Sequence, residues 1–192
     1  MRQAINKLVF EGLIARKKGI GTKVEQKRVT TQLDNWASFT QEMTQKGIRF
    51  TTITVDSSVM PADENLADVF GIEPGRNVVK LERLRGMGPE PVVYFVSYFH
   101  PRLSIRADAD FSGPLYELLE RDYGVRPAVS REEIAVRTAD AFLAEKLKVK
   151  TGDPLLYRKR LVLDPGKRLL EYNLGWYRSD RFTYSIEIRR ES

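Results

Sequence analysis

The 192-residue chain repeats itself once, at an offset of 77. Gly47-Ile48-Arg49 aligns with Gly124-Val125-Arg126, Asp63 with Asp140, and Leu66-Ala67 with Leu143-Ala144. Gly75 aligns with Gly152, Val78-Val79 with Leu155-Leu156, and Arg83-Leu84 with Arg160-Leu161. Apolar spacing and Gly/Pro punctuation give each copy the same order: helix, strand, helix, long hairpin. The predicted first helices cover 38–46 and 114–123, and the strands after them 48–59 and 128–136. Second helices follow over 62–70 and 139–147, then hairpins over 77–87 with 91–99 and 154–163 with 168–177. Two units are too few for a solenoid. The expected fold is therefore α+β: two pseudo-symmetric α-β-α-β-β units whose hairpins join in one antiparallel sheet, with helices on one face. Ligands favour such repeat interfaces, where concavity and convergent groups arise together, so a central small-molecule cleft is expected.

Charge divides the chain differently. Residues 1–28 hold eight Lys/Arg against two acids, a surplus equal to the +6 of the whole sequence. A basic piece suited to a polyanion thus precedes a domain of zero net charge. Ile5, Leu8 and Val9 space apolar residues helically before Gly12, and Leu13–Arg16 and Thr22–Val24 read as strands around the basic turn Lys17-Lys18-Gly19-Ile20-Gly21. The organisation expected is a helix-and-hairpin piece over 1–25, a polar linker over 26–35 and an effector domain over 36–192.

Several residues could line the cleft. Ser38-Phe39-Thr40-Gln41 matches a capping box, and a helix start with flanking hydroxyls can also hold an anion. Arg83 and Arg85 lie two apart on a predicted strand, so both project from one face, and Arg forks suit phosphate or carboxylate. Glu171 and Tyr177, six apart on the last hairpin strand, also share a face. Arg158-Lys159-Arg160 alternates along a strand and reads as a solvated surface, and His100 before Pro101 reads as a turn residue.

Two resemblances attach to these residues. Arg2-Gln3-Ala4-Ile5, Leu8 to Ile14 and Gly19-Ile20-Gly21-Thr22-Lys23-Val24 resemble the recognition helix and wing of GntR-type bacterial transcription regulators. That likeness implies DNA contacts from Arg2, Lys18, Gly19, Gly21 and Thr22. It also implies that the motif's first helices would precede Met1, so that 1–25 would pack poorly and bind DNA weakly by itself. Ser38-Phe39-Thr40, the Leu81–Arg85 strand, Pro114-Leu115-Tyr116 and Glu171 to Phe182 resemble the UTRA effector-binding domain of the HutC subfamily. The likeness implies a chorismate-lyase-like fold, a homodimer, operator DNA as partner and a small anionic effector such as a phosphorylated sugar or an organic acid. It further implies that Ser38, Phe39 and Thr40 take the anionic end with Arg83 and Arg85, while Phe95, Tyr116, Glu171 and Tyr177 contact the rest. Pro114 stands where a serine is common and Phe95 where an acid is common, which makes this pocket less polar than that of sugar-phosphate binders.

The function expected is ligand-responsive transcription regulation, with effector binding shifting the spacing of two DNA-binding units in a dimer. The alternative is a lyase-type enzyme acting on an aromatic or sugar acid. A single histidine, no cysteine and no organised acid/base pair speak against it, and no cofactor or metal is implied. The absence of cysteine fits a reducing cytoplasm, and no apolar run reaches the length of a membrane span.

Overall fold

The computed structural model describes residues 47–185, the short strands below, and the single positions Ile5 and Met43. The chain divides into two compact units, residues 34–179 and residues 1–33 with 180–192. In the smaller unit β1 (Ile14–Lys17) and β2 (Gly21–Val24) pair antiparallel, Lys17 opposite Gly21, as the basic hairpin predicted. β3 (Val29–Gln32) falls inside the segment read as a linker, where the β-branched Val29-Thr30-Thr31 run favours extended backbone. β3 pairs in parallel with the last described strand, Phe182–Ser185, which thus groups with the smaller unit rather than with the effector domain.

The larger unit is built on a six-stranded antiparallel sheet. Its strands are β4 (Thr51–Pro61), β5 (Asn77–Met87), β6 (Glu90–Phe99), β7 (Val129–Thr138), β8 (Pro154–Leu163) and β9 (Leu169–Arg178); Phe182–Ser185 is β10. The order β4-β5-β6-β9-β8-β7 puts the two hairpins back to back, with β6 against β9. This is the pseudo-twofold arrangement the duplication requires.

The repeat extends to individual hydrogen bonds. Helix α1 (Glu64–Phe70) is capped by Asp63, whose carboxylate accepts from Leu66 N–H at 2.7 Å. Ala141–Leu147 (α3) is capped by Asp140, which accepts from Leu143 N–H at 2.8 Å. Each cap contributes about 1 kcal/mol. After each helix the chain returns identically: Gly75 N–H donates to Ala62 O and Gly152 N–H to Ala139 O, both at 2.8 Å. The twins differ at the exit, where α1 ends on Gly71 (φ 65°) but α3 ends on Lys148 (φ 53°), a left-handed position that glycine holds without strain.

Leu66, Ala67 and Phe70 of α1 pack with Val78, and Leu143, Ala144 and Leu147 of α3 pack with Leu84, Tyr94, Val96 and Leu155. Those strand residues share one face of the sheet by alternation. Helix α2 (Leu115–Tyr123) instead buries Leu115, Leu118 and Leu119 against Val79, Leu81, Phe99 and Val162, which point the other way. The expectation of helices on one face is thus corrected: α1 and α3 cover one side, α2 the opposite. Of the predicted helix over 38–46 only Met43 is described. It is helical and buried, and its carbonyl accepts from Ile48 N–H at 2.9 Å. Among the described residues no helix is long and apolar enough to cross a membrane.

Candidate functional site

Strand register gathers the sequence-predicted residues on the α2 side of the sheet. Val55, Arg83, Phe95, Gly175, Arg158 and Ile134 form one row across the six strands. The adjacent row is Ser57, Leu81, Ser97, Asn173, Arg160 and Glu132. Arg85, opposite Val93 and Tyr177, lies one row to one side, and Glu171, opposite Phe99, one row to the other. Tyr116 reaches the same layer from the first turn of α2. Arg83, Arg85, Phe95, Tyr116, Glu171 and Tyr177 therefore converge. Ser38, Phe39 and Thr40 lie outside the described residues, as do Arg2, Lys18 and Gly19. Gly21 opens β2 at φ 100°, and Thr22 pairs with Arg16.

The layer is polar and buried. Arg83, Arg85, Ser97, Arg158, Arg160, Glu171 and Asn173 are all buried. Ser97 Oγ donates to Glu171 Oε1 at 2.6 Å, and Tyr116 Oη donates to Glu171 Oε2 at 2.9 Å. Asn173 Nδ2 donates to Ser97 Oγ at 2.9 Å. Burial pushes the Tyr116 phenol up; the charge of Arg160 opposes that rise, and Glu171 adds to it. Phe95 and Tyr177 meet edge to face at 5.6 Å, and the Arg158 guanidinium sits over both rings at 6.0 and 5.5 Å. Gly175 permits this: a Cβ there would lie 3.0 Å from the Tyr177 ring and 3.1 Å from that of Phe95.

Electrostatics distinguish the arginines. Arg160 Nε lies 3.2 Å from Glu132 and 2.7 Å from Ser130 Oγ, and Arg158 lies 3.6 Å from the same Glu132 carboxylate. Arg83, at 8% exposure, has a buried Nε that donates to nothing. Burial holds its guanidinium below the ordinary value, against the opposing pull of Glu171 and Tyr116. Arg85 is held down to about 10, first by burial and then by the charge of Arg83. Arginine keeps its charge in proteins, so two like charges are buried side by side. An anion placed between them would relieve both desolvation and repulsion.

Sequence reasoning placed Arg158 and Arg160 on a solvated surface, and the structure corrects this. Both are buried on the site face, while Lys159 alone turns to the other and pairs with Glu133 at 2.8 Å. The signal was available, since the parity that unites Arg83 with Arg85 unites Arg158 with Arg160. Ser97 and Asn173 were also missed. Small polar residues in apolar strands carry no label of their own; only the register reveals that they touch. His100 behaves as predicted, its Nδ1 accepting from Arg102 N–H at 3.1 Å to cap the turn Pro101–Leu103.

Comparison with known proteins agrees with this architecture. The UTRA domain family matches residues 45–183. The HTH-type transcriptional repressor NagR of Bacillus subtilis (strain 168) is 27% identical over 185 residues, covering 96% of this chain and 76% of NagR. The HTH-type transcriptional regulator GgaR of Escherichia coli (strain K12) is 27% identical over 187 residues, covering 97% of this chain and 74% of GgaR. The crystal structure of PhnF from Mycobacterium smegmatis has a TM-score of 0.85 at 26% identity, over 99% of this chain and 84% of that one. Its effector domain, crystallised alone, shares the fold with a TM-score of 0.77 at 24% identity, over 84% of this chain and all of that one.

Proposed function

The chain belongs to the UTRA domain family, and from that premise we propose that it senses a small anion on the Arg83–Arg85 face. Its relatives are transcriptional regulators, so the sensor controls transcription. The observation that carries the reading is the Arg83 guanidinium: buried, charged, beside a second buried guanidinium, and with an Nε that donates to nothing. Arg160, by contrast, is held within the fold by Glu132 and Ser130, and Arg158 has the Glu132 carboxylate at 3.6 Å. Arg83 and Arg85 neutralise the anion, and the resemblance assigns its anionic end to Ser38, Phe39 and Thr40 as well. Tyr116 and Glu171 read its polar groups, and Phe95 with Tyr177 forms an apolar wall.

The effector acts by population shift in a homodimer bound to operator DNA in the cytoplasm. Arg2, Lys18, Gly19, Gly21 and Thr22 supply the DNA contacts. A thermal-shift series with inorganic phosphate, phosphate monoesters and small carboxylates tests the sensor. A ligand at 100 times its dissociation constant adds about 2.7 kcal/mol of stability, and Arg83→Ala is expected to erase the response while the fold persists. A full response in that variant removes the site assignment. Operator affinity unchanged at saturating effector removes the regulatory reading. Turnover of any responding acid would support the lyase alternative.

A further inference from the structure

We propose that Asn173 is a specificity-determining residue of this face, reading a neutral hydroxyl on the anion that Arg83 holds. The proposal rests on the effector reading above. Asn173 is 5% exposed, and its amide orientation follows from its neighbours. Glu171, as a carboxylate, only accepts; Tyr116 donates to one oxygen and Ser97 to the other. The single hydroxyl proton of Ser97 is thereby spent on Glu171, so Ser97 Oγ must accept, and Asn173 must present its Nδ2. That fixes the opposite end. Asn173 Oδ1 is buried and accepts no hydrogen bond.

The face therefore holds orphan atoms of opposite sense. Arg83 Nε is a buried donor without an acceptor, and Asn173 Oδ1 a buried acceptor without a donor. Buried polar atoms are otherwise paired in folded proteins, and one molecule carrying both an anionic group and a donor satisfies both. Asn173 sits two strands and one row from Arg83, a backbone separation of about 12 Å. The reach of the arginine side chain and a ligand of a few carbons spans it. Charge selects the kind of donor. Arg160 lies directly opposite Asn173 and Arg158 one row away; with Arg83 and Arg85 these cations outnumber the Glu132 and Glu171 carboxylates on the face, so an ammonium is disfavoured where a hydroxyl is accepted. The Asn173–Ser97–Glu171–Tyr116 chain then joins this hydroxyl subsite to α2.

Calorimetry with three phosphate monoesters tests the inference: glycerol 3-phosphate, propyl phosphate and ethanolamine phosphate, which offer hydroxyls, no donor and an ammonium respectively. The expected result is glycerol 3-phosphate binding about tenfold or more tightly than either of the others, because a site built for a hydroxyl penalises its absence. In Asn173→Leu that preference is expected to fall to within about twofold. Equal binding of all three by the unaltered chain overturns the inference without recourse to any variant, and is the result expected if a water satisfies Oδ1. A preference that survives in a folded Asn173→Leu overturns it too. In both cases loss of binding in Arg83→Ala shows that the anion reading still stands. Failure of every phosphate to bind overturns the inference, and overturns the anion reading as well when small carboxylates also leave the melting temperature unchanged.

Discussion

Arg83 and Arg160 are the same residue in two copies of one unit, and they live differently. Both are buried on the same face of the sheet, 77 positions apart. Arg160 faces Glu132 across the β7–β8 pair, and Arg83 faces Val55 across the β4–β5 pair. Val55 and Glu132 are themselves equivalent, again 77 apart. One half carries its counter-charge in the sequence. The other has an apolar residue at that position and keeps its cation uncompensated by its neighbour strand. Duplication supplied two identical frames, and a single difference on the edge strand separates a structural arginine from one suited to an external anion. The stability lost at Arg83 is the kind of deficit that binding sites carry.

The contrast can be broken from either side. Glu132→Val copies the first half into the second and leaves Arg158 and Arg160 without their shared carboxylate. It is expected to cost about 3 kcal/mol, read by urea or thermal unfolding; a neutral result would mean the pair is not structural. Arg83→Met removes one of two neighbouring buried charges. It is expected to raise ligand-free stability by about 1–2 kcal/mol while abolishing the anion-induced rise in melting temperature. Destabilisation with the anion response intact would show that Arg83 is satisfied within the fold. Val55→Glu copies the second half into the first: the supplied carboxylate should compete with the anion and weaken it about tenfold, as measured by calorimetry. The smallest effect concerns the helix exits. Lys148→Gly should stabilise by about 0.5–1 kcal/mol, making α3 match α1 at Gly71 without altering anion binding.

Much of this was legible in the chain. The ranges of β5 and β8 follow from alternation between turns, and the equivalence of Asp63 with Asp140, both helix caps in the structure, follows from the repeat. That Arg83 and Arg85 share a face follows from parity alone. What stayed hidden depends on which strand lies beside which. Lys159 turned Arg158 and Arg160 into an apparent basic triplet, and nothing local announces that Glu132 will lie opposite. The order of helices along the chain says how many there are but not which side of the sheet each crosses, so α2 was misplaced. Asn173 and Ser97 come from different halves and meet only because β6 pairs with β9.

The parallel pairing of β3 with β10 constrains the stretch whose composition reads as a linker. Tyr177 and Arg178 end β9, and only three residues separate them from Phe182, where β10 begins. β10 holds Val29–Gln32 in register over four residues, and that segment leads back to the basic hairpin. A free polar tether would absorb a small displacement as slack, since a random coil resists stretching only weakly. A paired ribbon has little slack to give. Sliding it by one residue would turn every side chain over, so the pairing of Phe182 with Val29 fixes the register between these two segments.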